Sequence, residues 1–309
     1  SAQLNNLAKI FAVIEIVKQH KFKQIQICTA DKNLSTIIAS IAESNSARFK
    51  EISFNGDISP TSTKSQFKKL TPKPLLAFIS LLQQSQVAAK LKTNKTSPTH
   101  TTLSGSISFF DYWYRFGATV NETRKFESQY WTNLVGELKD TDTNWLHNLV
   151  DQHKKSELRR INSLRNDFNL ANTNNRHLII DSIGESTVVI KSVKSYFKLL
   201  ICSLQIKKYK HAFTLGDTTI NFWPLFKNEW LNSLRGYEAM INCIRFHRLE
   251  FILQRLPKQR LGFYLIENQP WEMALIHLWR KYDHGQLVGV AHSTVRFWDL
   301  RLMSDPHRF

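Results

Sequence analysis

Glycine is scarce in this chain, ten residues in 309, and nowhere do the glycines cluster. A phosphate cradle needs a glycine-rich turn, so the absence of GxxxxGK[ST] and GxGxxG excludes a P-loop enzyme and argues against a simple dehydrogenase. GxSxG and HExxH are absent too. Cysteine is scarcer still: Cys28, Cys202 and Cys243 stand far apart with no CxxC pair, which argues against zinc and against a disulfide framework. A reducing, cytoplasmic setting fits, with each cysteine expected as a small core residue. No metal or cofactor is called for; Asp299, Asp305 and His307 are close in sequence but lack ligand spacing.

Long apolar runs are missing as well. The best, PLLAFISLL (74–82), is far short of the roughly 20 residues that cross a bilayer. The N-terminus shows no secretory apolar region followed by a cleavage site. Acidic residues are outnumbered, 25 Asp and Glu against 42 Lys and Arg, for a formal net charge of +17. That surplus favours partners carrying phosphate: a nucleotide donor, an anionic membrane leaflet or nucleic acid. A solvated basic surface is the plainer alternative. KKYKH (207–211) and RFHR (245–248) interleave bases with aromatics, yet match no RNA-recognition or helix-turn-helix signature, so nucleic acid is the least favoured partner.

What is present is an α/β pattern. Residues 4–17 carry apolar positions at helical spacing, KQIQICTA (23–30) reads as a buried strand, Asp31 as the N-cap of a following helix, and RFKEISF (48–54) as the next strand. A helix is predicted over 72–92 and a loop over 92–106. ISFFDYWYRF (107–116) is strand-like, 123–139 and 143–168 read as charged amphipathic helices, RHLIIDSI (176–183) as a strand, and 186–256 as mostly helical, interrupted at 214–224. At 42% hydrophobic the chain can bury one large core or two modest ones. It opens Ser1-Ala2-Gln3 and stops soon after its most distinctive segment, which suggests a fragment of a longer protein.

That segment is residues 260–294. Residues 262–266 form a short apolar strand that Glu267 and Asn268 terminate. Pro270 suits the first turn of a helix, and Glu272 sits where the positive end of the helix dipole favours a carboxylate. Trp271, Ala274, Leu275, Leu278, Trp279 and Tyr282 make one apolar face, and Gly285 is expected as the left-handed cap. QLVGVAHS then returns as a strand, so a parallel βαβ unit is predicted. Glu267-Asn268-Gln269 and His292-Ser293-Thr294 would both follow carboxyl ends of neighbouring strands and face one crevice. A carboxylate beside an imidazole there suits deprotonation of an acceptor hydroxyl, and Ser293, Thr294 and Arg296 offer donors to phosphate or a sugar acid. Two plainer readings stand beside this one: Glu267 and Glu272 only cap the helix, and His292 only holds a turn. His277, in mid-helix, reads as packing.

YLIENQPWEMALIHLWRKYDHGQLVGVAHSTVRFWDLR (264–301) resembles the surface carbohydrate biosynthesis proteins of bacterial O-antigen and capsule clusters, which carry a similar Glu-Asn-Gln, Trp-Glu and Ala-Leu helix and a Gly-Val-x-His-Ser-Thr-Val-Arg-Phe-Trp-Asp segment. SISFFDYWYRF and TNWLHNLV are weaker echoes of the same family. The family is similar to GT-B glycosyltransferases of the CMP-nonulosonate or Kdo type, lipopolysaccharide enzymes in which two Rossmann-like domains face each other. The resemblance implies an α/β, Rossmann-like parallel sheet flanked by helices. Residues 1–309 would be the acceptor-side half, with insertions about 56–106 and 186–256 (the second large and helical), and the C-terminal nucleotide-binding domain would lie outside this chain. Ala291 stands where the family commonly has Pro.

The function implied is sugar transfer from a nucleotide donor, CMP-linked in the first instance, to a glycan or lipid-linked acceptor. It would take place in the cytoplasm, at the periphery of the inner membrane. Glu267 would be the base and His292 its orienting partner, with Asn268, Gln269, Ser293, Thr294 and Arg296 contacting substrate. The competing expectation is a non-catalytic basic α/β module that binds glycan, lipid head group or nucleic acid.

Overall fold

The computed structural model describes residues 2–52, 71–91, 103–113, 126, 128, 130–138, 140–149, 155–171, 174–216 and 220–291. The chain divides into two compact units, the first made of Ser1–Phe78 and Tyr196–Ala239, the second of Ile79–Ser195 and Met240–Phe309.

The first unit holds helix α1 (Ala2–Gln19), strand β1 (Gln24–Cys28), helix α2 (Lys32–Ser44) and strand β2 (Arg48–Ile52). β1 and β2 pair in parallel. Asp31 caps α2 as its position demands, its carboxylate accepting the N–H groups of Asn33 and Leu34 at 2.9 and 3.3 Å. β1 is half-buried rather than buried: only Ile25 and Ile27 turn inward, while Gln24, Gln26 and Cys28 are exposed. The core joins Ile10, Ile14, Ile37 and Ile41 to Ile220, Phe222 and Leu225.

The second unit is built on a five-stranded parallel sheet flanked by helices. Its strands are β3 (Ile107–Tyr112), β4 (Thr143–Asn148), β5 (Asn175–Ile179), β6 (Leu261–Leu265) and β7 (Gln286–Val290). The helices of the chain after α2 are α3 (Lys73–Leu91), α4 (Thr132–Glu137), α5 (Lys155–Ala171), α6 (Ser186–Cys202), α7 (Trp223–Arg235), α8 (Tyr237–Leu253) and α9 (Pro270–Lys281). The spatial order is β5-β4-β3-β6-β7. Chain order therefore runs outward from β3 in one direction and, from β6, outward in the other, the doubly wound arrangement. On one face Phe110, Leu146 and Leu178 pack against Leu249, Ile252 and Leu253 of α8 and Trp271, Leu275, Leu278 and Trp279 of α9. On the other, Ile107, Phe109, Trp145 and Leu265 meet Trp131 and α4.

Flat side chains in register form a ladder across the second face. Phe263, Phe109, Trp145 and His177 occupy paired positions on β6, β3, β4 and β5. Phe109 stacks on Phe263 at 5.1 Å and on Trp145 at 4.2 Å, and Trp145 lies near-parallel to His177 at 6.1 Å between centroids. Each good aromatic pair adds about 0.5–1.5 kcal/mol beyond its buried area.

Several expectations are corrected. Residues 143–148 are a strand, not part of a helix; the polar side chains that disguise it are buried and bonded, Asn144 to Gly105 O and His147 to Asp111. Cys28 and Cys202 are exposed and Cys243 half-buried, so none is a core residue. The left-handed residue after α9 is Asp283, φ 53°, rather than Gly285. Gly285 serves a close approach instead, since a Cβ there would lie 2.3 Å from the Arg260 carbonyl oxygen. In RFHR, His247 and Arg248 are buried within the fold and form no basic outer face. Among the described residues no helix is long and apolar enough to cross a membrane.

Candidate functional site

In a doubly wound sheet the carboxyl ends of the strands open into a crevice where the winding reverses. Here that point lies between β3 and β6. β3 ends at Tyr112 and β6 at Leu265, so Glu267, two residues beyond, is delivered to the reversal point.

The turn after β6 is built by Glu272. Its carboxylate accepts the backbone N–H of Glu267 at 3.0 Å, of Asn268 at 3.1 Å and of Gln269 at 2.8 Å. These include the cap N–H at the start of α9, so Glu272 is the capping acid of the helix. Asn268 takes φ 57°, a left-handed conformation that asparagine tolerates. Burial pushes the Glu272 carboxyl above its ordinary range, the three N–H groups pull it back in part, and the Glu267 charge raises it again.

With capping assigned to Glu272, the Glu267 carboxylate lies near the Tyr112 hydroxyl, close enough for its charge to act on the phenol. The same hydroxyl accepts the indole N–H of Trp271 at 2.9 Å, and the two rings meet edge to face. Burial drives the Tyr112 hydroxyl well above its ordinary pKa, the Trp271 donor lowers it, and the Glu267 and Glu272 charges raise it further. The phenol therefore stays protonated, a donor beside the Glu267 carboxylate. Glu267 is half-buried, and Asn268 and Gln269 are exposed. A half-buried carboxylate beside a phenol and two exposed amide residues has the equipment to bind hydroxyls and accept a proton from one.

Family models, curated proteins and solved structures give no match to this chain. The site therefore rests on its own geometry. Of the residues predicted from sequence, Glu267, Asn268 and Gln269 share one turn at the reversal point. His292, Ser293, Thr294 and Arg296 lie outside the described residues, as do Asp299, Asp305 and His307. Tyr112 and Trp271 were not singled out as site residues; Tyr112 closes a recognisable strand, but its approach to Glu267 requires the strand order. His277, read as packing, is exposed, with its ring 6.1 Å from that of Phe246.

A second polar group lies beneath the crevice on the opposite face. His147 Nδ1 is 2.6 Å from the Asp111 carboxylate and its Nε2 is 3.1 Å from His177 Nδ1, all three residues being buried. Burial, and then the charge of His147, hold His177 far below the ordinary histidine pKa. Both nitrogens of His147 are engaged, and the chain of groups ends at His177 Nε2, which is buried without a hydrogen-bond partner. Among the described residues no group of three or more metal-ligating side chains is poised to hold an ion.

Proposed function

We propose that this protein takes part in glycosyl transfer for bacterial surface polysaccharide assembly, as the acceptor side of a GT-B-like enzyme. The observation that carries the reading is the half-buried Glu267 carboxylate beside the Tyr112 hydroxyl at the reversal point of a doubly wound sheet. The resemblance of residues 264–301 to surface carbohydrate biosynthesis proteins supports it. Glu267 takes the proton of an acceptor hydroxyl as that oxygen attacks the anomeric carbon of a nucleotide-linked sugar, and the nucleotide leaves with the bonding pair. Tyr112 orients the carboxylate, and Asn268 and Gln269 hold sugar hydroxyls. His292, Ser293, Thr294 and Arg296, which follow β7 in sequence, contribute to the same substrate. The helical stretch 186–256 is read as an insertion, and the +17 charge suits work on an anionic leaflet from the cytoplasmic side.

The test is to offer CMP- and UDP-linked sugars with oligosaccharide acceptors, following transfer, hydrolysis and acceptor binding. Glu267→Gln is expected to lower turnover about 100-fold or more, the usual contribution of a positioned base. Failure of every sugar ligand to bind or react, with the fold verified, overturns the proposal. Nucleic-acid or lipid binding that falls steeply with salt would replace it by a basic binding module.

A further inference from the structure

Away from the crevice, three side chains of the second unit stand in a line. Ser195 Oγ, on α6, is 2.8 Å from His247 Nε2 on α8, and His247 Nδ1 is 3.0 Å from Glu250 Oε2 one turn along the same helix. His247 and Glu250 are buried, while Ser195 is only half-buried. A nucleophilic triad is recognised by this geometry and by the role of each member, not by fold or chain order.

The protonation pattern follows from the surroundings of Glu250. Burial alone would raise its carboxyl, but hydrogen bonds from Lys281, His247 and Lys191 outweigh burial and bring it down to about 2. Lys281 Nζ is 2.7 Å and Tyr282 Oη 3.3 Å from Oε1, and Lys191 Nζ is 3.1 Å from Oε2. An ionised carboxylate only accepts, so the proton on His247 lies at Nδ1. Burial lowers the imidazole pKa against the pull of Glu250, which leaves His247 neutral near pH 7 with its Nε2 lone pair facing Ser195. Ser195 also departs from its neighbours in kind. The helical hydroxyls of Thr36, Ser40, Ser44, Ser192 and Ser233 all donate to backbone carbonyls of their own helices, the usual habit of such residues.

We propose that Ser195, His247 and Glu250 form a second, nucleophilic site that accepts acyl groups from activated esters. Ser195 Oγ bonds to the ester carbonyl carbon while its proton passes to His247 Nε2 and the carbonyl π pair moves onto oxygen. When the tetrahedral adduct collapses, the carbon–oxygen bond to the leaving group breaks and the departing alkoxide or phenolate takes the proton from His247. Water repeats the sequence on the acyl-serine and releases a carboxylic acid. Backbone N–H groups inside α6 are committed to the helix and Lys191 to Glu250, so the site has no preformed oxyanion hole and calls for an ester with a good leaving group. With such an ester the first leaving group departs more readily than the serine alkoxide, so acylation is expected to outrun deacylation.

The experiment treats the whole chain with 4-nitrophenyl acetate and, separately, with a fluorophosphonate, and maps the modified residue by mass spectrometry. Expected are a burst of about one equivalent of nitrophenolate per chain and a single phosphonylated residue, Ser195. Ser195→Ala should abolish both, and Glu250→Gln should slow phosphonylation at least tenfold while leaving Ser195 the labelled position. Mapping on the unaltered protein decides the matter even where a variant fails to fold: no label, or label on another residue, overturns the proposal. Labelling of Ser195 at equal rates in wild type and Glu250→Gln would reduce the array to a helix-to-helix hydrogen bond and overturn it too.

Discussion

Glu267 and Glu272 sit five residues apart and do different work because of what each can reach. Glu272 is buried and spends both oxygens on three backbone N–H groups. Replacing it with alanine strands those donors, and a loss of about 1–3 kcal/mol is expected, read as a lower urea midpoint. The φ of 57° at Asn268 sets a second test in the same turn. Asn268→Gly should be close to neutral in thermal melts, whereas Asn268→Val should cost about 1–2 kcal/mol. The sequence already showed both acids and the helix start. It did not show which one capped, because that choice is made by the backbone path of the turn, where Asn268 turns left-handed and three N–H groups point at Glu272.

Between elements, the buried polar bonds decide what holds to what. Arg248 of α8 donates to Asp181 Oδ1 at 2.6 Å, to Gln84 Oε1 of α3 at 2.8 Å and to the Ile183 carbonyl at 3.0 Å, while Asp181 Oδ2 accepts the Leu149 N–H at 2.9 Å. Removing one partner of such a pair leaves a buried charge, so Arg248→Ala should lower stability by about 3–5 kcal/mol in chemical denaturation. Glu250 links α6, α8 and α9 through Lys191, His247 and Lys281. Its carboxyl is depressed to about 2, so its contribution is complete above the unfolded value of about 4.3 and disappears as pH falls from there toward 2. His247, also lowered, resists protonation when folded and acts in the same direction below about pH 6.5. Melting temperature should therefore fall more steeply between pH 4.5 and 2.5 in the wild type than in Glu250→Gln. Elements with local signals were legible: β1-α2-β2 from alternation and the Asp31 cap, β6-α9-β7 from Pro270 and the apolar face. β4 was not, since Thr-Asn-Trp-Leu-His-Asn lacks alternation and its polar groups find partners 30 to 115 residues away. The Ser195-His247-Glu250 array was equally invisible, because Ser195 stands 52 positions before His247 in the chain.

At the scale of the whole molecule, a formal charge of +17 makes the folded state repel itself. Raising sodium chloride from about 0.02 to 0.2 M shortens the Debye length from roughly 20 to 7 Å, so the thermal midpoint should rise over that range. The same change should release the protein from anionic lipid vesicles if phosphate is what it meets there. Trp145 is 1% exposed, stacked face to face on Phe109, with its indole N–H held by Thr143 at 3.0 Å. A chromophore fixed in that way should emit at short wavelength and give a strong near-ultraviolet dichroic band. The centre of the five-stranded sheet thus carries a contribution to the near-ultraviolet band that is lost only when the strands themselves come apart.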